Sequence, residues 1–507
     1  MTVFNLNNLD DDIMSITQND FAGGQNSSVS PTLLADNQSQ LLIDADIGEN
    51  GKLLSRSHIY TLGKPADGTV QGLAWFDNLS DQQILVVVDN KLWVTIGNGN
   101  WSLIDGYKTN GSPNVAIVQA NNKLYISDGI QNQYTWDGGT LTELTGNNAP
   151  PKATRLLWHR HRMFAIGMSD NPYTVAVSDT DDPNHYHLEN SFDLNSGSGN
   201  PIIGLDIWQG NEIVFFNANG GYRVIADPST ELVNWVILAL PNDQGLAAPN
   251  ATAKTGNDLA FLSRDGLSSI GFNIANDQIG VTAQISAPVN DIIKRINPQY
   301  IDKVSMITFL NKTFISLPLD GATYNNNTLI YDNRLRQWIG IWSIQANCFS
   351  IGFLDGQRQL IWGDNNGNIN AWDNSNSSND LPTEWISKSW QFGATDNTKQ
   401  GDYIILEFIK STAEIELYLI IDEGEPILFW SGSTTDGLVT LPLTLPFTLE
   451  RPKNKRIVMD ILDQGDFLSL ALQIKVLSGS LSLRRVSIGA YINTTEDANT
   501  TEDANES

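Results

Sequence analysis

Basic residues, cysteine and long apolar runs are all scarce in this 507-residue chain. Thirty Lys and Arg stand against 57 Asp and Glu, a formal charge of −27. That argues against a protein that grips nucleic acid by neutralising phosphates, which takes clustered cations. An acidic surface keeps a protein soluble. It also repels DNA, as the wall of a channel that DNA slides through must. The single cysteine, Cys348, excludes an intramolecular disulfide framework. Its apolar neighbours Phe349 and Ile351 point to a buried, inert thiol rather than a nucleophile. No run of 18 apolar residues occurs, so no helical membrane span is expected. The opening MTVFNLNNLDDD lacks the basic and then apolar regions of a signal peptide, and the expectation is assembly in a cytoplasm.

Gly and Asn are abundant, and Trp and Tyr plentiful, a composition that favours short strands joined by tight turns over long helices. The stretch Asn211 to Trp235 shows the grammar. An apolar run (Ile213–Phe216) meets the turn residues Asn217, Asn219, Gly220 and Gly221, then Tyr222, Val224 and Ala226 alternate as a strand does. The same pattern opens at Asn90, Asn122, His161, Asn211, Asn257, Asn311 and Arg358, in steps of 32, 39, 50, 46, 54 and 47 residues. Such a period suits four-stranded propeller blades, whose sheets bury both faces only by stacking radially. Trp101, Trp136, Trp235, Trp338 and Trp372 fall late in their units and are expected to pack between blades.

The fold class is therefore all-β: a β-propeller of about seven blades, with six to eight fitting, followed by an antiparallel β-sandwich. Residues 1–68 read as an N-terminal arm and lead-in, 69–373 as the propeller and 374–384 as a linker around Asn-Ser-Asn-Ser-Ser-Asn-Asp. Residues 385–491 read as the sandwich, with Leu470, Leu472, Ile474 and Val476, and Ile415, Leu417, Leu419 and Ile421, alternating. Residues 492–507 form an acidic repetitive tail with too few apolar groups to fold alone. One helix is expected at Pro288–Lys303, with Val289, Ile292, Ile293 and Ile296 on one face, an Asn290 cap and a break at Pro298.

Chemistry is thinly signalled. Asp179, Asp181, Asp182, His185 and His187 have metal-ligand chemistry, but Asp-Asp-Pro-Asn is ordinary turn sequence and no metal is assigned. His159 and His161 flank Arg160 on a strand and are expected to share one face, as a structural rather than a catalytic pair. Arg451, Lys453, Lys455 and Arg456, with Arg484 and Arg485, make the sandwich the more basic end; a solvated hairpin tip outweighs a binding patch. Gly-x-Ser-x-Gly, His-Glu-x-x-His and a phosphate-binding Gly loop are all missing. The fragment Ser263-Arg-Asp265-Gly266 is mis-spaced for the Ser-x-Asp-x-Gly-x-x-Trp box of sialidase propellers, and the pairs Trp136-Asp137 and Trp372-Asp373 lack the Gly-His partner of the WD repeat. No catalytic, cofactor-binding or metal residue is assigned, and a non-enzymatic protein is expected.

Two stretches carry a family resemblance. The first is Phe21-Ala-Gly-Gly-Gln-Asn, Ser30-Pro-Thr-Leu-Leu-Ala-Asp-Asn-Gln and Asp44-Ala-Asp-Ile with Gly51 and Arg56. The second runs from Asn171-Pro-Tyr-Thr-Val-Ala-Val-Ser178 through Asp182-Pro and Gly204-Leu to Phe261-Leu-Ser-Arg-Asp265-Gly266. Together, over roughly residues 21–370, they resemble the tail nozzle, or packaged-DNA stabilisation, proteins of short-tailed bacteriophages. The resemblance implies a structural virion protein forming a homohexameric ring below portal and adaptor proteins, near tail fibre, needle or plug proteins. Such a ring extends the DNA channel, retains packaged genome and passes it during ejection, without sequence-specific binding. Six chains would carry −162 formal charges, six times −27. The alternatives are a receptor- or carbohydrate-binding propeller of a fibre or tailspike and, behind it, a glycosidase with paired carboxylates about 5–10 Å apart.

Overall fold

A computed structural model describes residues 13–435 and 455–493, apart from 79–81, 110, 113, 211, 228–229, 242–243, 274–277, 283, 355 and 378–380. The sequence expectations at Asn211, Arg451, Lys453, part of the linker and the acidic tail from residue 494 on lie outside the described residues. The chain divides into two compact units: residues 59–336 with 342–375, and residues 1–58 with 337–341 and 376–507.

The first unit is the propeller. Six four-stranded sheets are its blades: first 70–104, second 116–143, third 155–193, fourth 204–239, fifth 252–282, and a last one of Cys348–Leu354, Gln357–Gly363, Ile369–Ser377 and Ser57–Gly63. Between the fifth and the last, Ser305–Phe309, Lys312–Leu317 and Asn327–Asp332 pair as a further three-strand meander. In the last blade the outermost strand comes from the start of the chain and the other three from far downstream, so the ring is closed by its own two ends. Leu62, Val70, Ile84 and Val86 share one buried cluster with Leu354 and Ile361, which is the seam of that closure.

Local chemistry sets the hairpins. Asp89-Asn90, Asn121-Asn122, Arg160-His161 and Leu310-Asn311 all take positive φ, between 45° and 64°, the two-residue turn whose twist matches the flanking strands. The repeats differ from the sequence reading in one respect. The strands after Asn122, His161, Asn311 and Arg358 are second strands of their blades, whereas Lys91–Thr95 after Asn90 is a third strand. The short first step of the repeat arises from that change of slot. The marked tryptophans likewise occupy different slots. Trp136 and Trp372 lie on third strands, Trp101 and Trp235 just precede outer strands, and Trp338 belongs to the other unit. Packing between blades holds for several: Trp235 meets Phe164 and Phe192 of the third blade, with Phe215 completing the cluster. Trp136 donates to Gln83 Oε1 of the first blade at 2.9 Å.

The expected helix shrinks to single turns: Ala287–Val289 and Ile301–Lys303 are 3₁₀ and Asn290–Ile293 is α. Asn290 is the first helical residue, not the cap, which is Val289. The apolar face was legible, since Val289, Ile292, Ile293 and Ile296 are all buried. Asn297 N–H donates to Pro318 O instead of continuing the helix, and Pro298 follows.

The second unit is a sandwich of two sheets. One runs Ala45–Ile47, Leu53–Ser55, Ser482–Ile492, Lys399–Phe408, Lys455–Asp460, with Ile13–Gln18 also on Ser482–Ile492. In the other, Ser39–Ile43, Glu384–Ser387, Leu470–Ser478, Glu414–Ile421 and Ile427–Ser433 are antiparallel neighbours, and Ile43 pairs in parallel with Ile341. The described part of the expected arm is not a lead-in to the first blade: from Ile13 to Ser55 it supplies sandwich strands, as the Ile13↔Tyr491 register shows. Phe21 is fully buried, edge-on to Trp385 at 5.6 Å. Gly24 takes φ 67°, where a Cβ would stand 2.3 Å from Trp338 O. Arg56 Nε donates to Asp44 Oδ1 at 2.6 Å, with both side chains almost fully buried. Burial lowers the Arg56 guanidinium pKa and Asp44 opposes that shift.

Candidate functional site

The inner strands of the six blades are Val70–Asp77, Ala116–Ala120, Arg155–His159, Gly204–Ile207, Thr252–Thr255 and Cys348–Leu354; these and Ser305–Phe309 of the meander all contribute to one central cavity of about 610 Å³. Their rims are stitched by backbone bonds, Val115 N–H to Gln71 O at 2.8 Å and Met306 N–H to Asn250 O at 2.9 Å. Most of the lining is apolar or uncharged. Among the described residues lining it, three are charged: Arg155, Asp206 and Lys254, from the third, fourth and fifth blades.

These three interact. Asp206 Oδ1 accepts from Ile207 N–H at 2.7 Å, and Oδ2 accepts from Thr252 Oγ1 at 2.8 Å. Burial raises the Asp206 carboxyl pKa, against the opposing pull of Thr252, Ile207 N–H, Lys254 and Arg155. Burial also lowers the Arg155 guanidinium pKa, with Asp206 opposing. Arg155 Nη1 donates to Asn250 Oδ1, while its Nε is buried with no acceptor. Lys254 is exposed to the cavity, and no hydrogen bond or ion pair is found for its ammonium among the described residues. The channel thus holds two cations against one carboxylate, a local reversal of the sign of the chain.

A second cavity, about 270 Å³, shares Gln71 and Asn114 with the first and adds Thr69, Asp89, Asn90, Lys303 and Asn347. Thr69, Asn114, Lys303 and Asn347 each lie just before an inner strand, and Asp89-Asn90 is a hairpin turn, so one set of loops builds this mouth. Gln71 is already engaged: its Nε2 donates to Asn90 Oδ1 at 2.9 Å and its Oε1 accepts from Asn90 N–H at 2.8 Å.

The residues marked in the sequence lie elsewhere. The Asp/His cluster separates into three pairs, His161–Asp181 at 2.6 Å, His185–Asp182 at 2.6 Å and His187–Asp179 at 3.2 Å. No group of three or more His, Cys, Asp or Glu able to hold a metal occurs among the described residues. Burial would raise the Asp182 carboxyl pKa, but hydrogen bonds from His185 and Asn184 outweigh it and hold it below the usual range. His159 and His161 do not share a strand face, because His161 is a turn residue with φ 64°. Burial, then Arg160, lower the His159 pKa. Of the basic residues in the sandwich, Arg485 pairs with Glu407, Arg456 stands opposite the same Glu407, and Lys455 Nζ donates to Ser433 O and Thr435 O. Burial pushes the Cys348 thiol up to about 12, although the residue as a whole is partly exposed.

The channel trio escaped sequence reading because its members sit in three different repeats. The available signal was a charged residue in an otherwise small or apolar inner strand, as in Gly204-Leu-Asp-Ile and Thr252-Ala-Lys-Thr.

No family model and no curated protein matches the chain. Solved structures similar to it include the computationally designed Ika8 protein, 15% identical, covering 69% of this chain and 99% of that one at a TM-score of 0.37. BamB from Moraxella catarrhalis is 11% identical, covering 64% of this chain and 91% of that one at a TM-score of 0.38.

Proposed function

We propose that this chain is a structural virion protein, the nozzle of a short-tailed phage tail. Six copies form a ring below the portal and adaptor, extend the DNA channel, retain the packaged genome and let it pass at ejection. The protein acts in the virion tail and is assembled in the host cytoplasm. The likeness across residues 21–370 carries the reading. Its first stretch coincides with demanding structural positions: buried Phe21, left-handed Gly24 and the Asp44–Arg56 pair. A charge of −27 per chain supports the role, because like-charged walls weaken adhesion of DNA in transit. The test is to mix the purified chain with a portal–adaptor complex and image the product. The reading requires an added ring with a central hole on the adaptor; a chain that stays free at micromolar concentration contradicts it.

The second reading, a receptor- or carbohydrate-binding propeller, is favoured by one observation, the polar mouth and charged channel just described. Against a glycosidase, the described lining of the channel offers one carboxylate, Asp206, where that chemistry uses two.

A further inference from the structure

The two cavities share Gln71 and Asn114 in their walls, and the larger has the size of a small-molecule pocket. Its charge is the unexpected feature. In a chain with nearly twice as many acidic as basic residues, the lining offers two cations and one carboxylate. That carboxylate is committed, with one oxygen on Ile207 N–H and the other on Thr252. Arg155 is fixed through Asn250, while Lys254 extends into the cavity without a partner among the described residues. A lone oxyanion would fill only a fraction of about 610 Å³. The rest of the wall supplies what a hydroxylated body needs. Asn114, between the two cavities, has no side-chain partner among the described residues, and the Asn250 amide nitrogen is likewise unengaged. Phe349 and Leu157 add apolar surface for the C–H face of a ring.

We propose that the propeller channel binds a small sugar acid, with its carboxylate on Lys254 beside Arg155 and its hydroxyls on the amides of Asn114 and Asn250. Arg155 of the third blade and Lys254 of the fifth both act electrostatically on Asp206 of the fourth, and all three line the same cavity. Asp206 keeps the pair from repelling when the site is empty, and the net positive charge draws an anion in. Nothing in this assignment depends on the ring. It concerns the interior of one propeller.

The test is calorimetric titration of the full chain with glucuronate, glucose and inorganic phosphate, each alone. Glucuronate should bind, glucose at least tenfold more weakly, and Lys254→Gln should weaken glucuronate about tenfold, equivalent to ~1.4 kcal/mol. Raising salt should weaken glucuronate too, since part of the attraction is Coulombic. Lys254 is an exposed side chain, so the variant should fold; circular dichroism and an unchanged oligomeric mass check that. Asn114→Ala offers an independent readout, weakening glucuronate while leaving phosphate unaffected. Equal affinity for glucuronate and glucose, glucuronate binding unchanged in Lys254→Gln, or binding of phosphate with none of glucuronate would each overturn the assignment.

Discussion

Changing Asp44 to Asn removes one charge from the sandwich interior and little else. Asp44 has φ 48°, a conformation Asn tolerates almost as well. Its backbone bonds survive the change: its N–H donates to Ile341 O at 2.8 Å, and its carbonyl accepts from Arg56 N–H at 3.0 Å and Thr383 Oγ1 at 3.1 Å. What is lost is the counter-charge 2.6 Å from a guanidinium that is 2% exposed. Stranding one member of a buried pair typically costs about 3–5 kcal/mol, most of it the desolvated charge left behind. Three kcal/mol is roughly a hundredfold or more in the population of the open form. The assay is urea denaturation followed by peptide-resolved hydrogen exchange over residues 39–56 and 384–387, which isolates this unit from the propeller. Asp44→Asn combined with Arg56→Met should recover much of the loss, because no buried charge then remains. A loss below about 1 kcal/mol in the single variant would refute the claim that the pair is desolvated and mutually dependent.

The other predictions concern packing, pH and reactivity. Phe215→Ala, emptying the aromatic cluster between the third and fourth blades, should destabilise the propeller by about 3–5 kcal/mol in urea titration. Arg295 donates to both carboxylate oxygens of Asp320, at 2.8 and 2.7 Å, and these bonds lower the Asp320 pKa. A lowered folded-state pKa stabilises above the unfolded carboxyl pKa, and that contribution fades as pH falls through the folded value. Asp320→Asn should therefore cost at most about 0.5 kcal/mol at neutral pH, given the pair's exposure, and nothing in strong acid. With its pKa near 12, Cys348 should resist iodoacetamide in the native chain at pH 8 and react fully in urea; rapid native labelling would contradict its assigned environment.

What the sequence disclosed was local. Asn and Asp in two-residue turns announced the hairpins, because left-handed backbone is written in residue type. They did not announce which strands each hairpin joins, so Asn90 was aligned one slot out. The apolar stripe Val289, Ile292, Ile293, Ile296 was read correctly as a buried face, yet the helix under it is one turn long. Burial pattern and hydrogen-bond ladder are separate properties, and Pro298 limits only the second. The fate of residues 13–58 was not legible. Their partners, such as Tyr491 and Trp385, lie hundreds of positions away, and period-two alternation carries no address. The basic run met the same limit. Its charges were countable, but their use on Glu407 and two carbonyls appears only once three strands are side by side. The channel trio is the extreme case, one charge per repeat, silent until the ring closes.

The proposed function is a ring of six, and the most direct measurement is the native mass of the purified protein in the presence of a portal–adaptor complex of a short-tailed phage. The account predicts six chains of 55.8 kDa added per complex. Three added chains, or none, would contradict it and shift the interpretation to a propeller borne on a fibre.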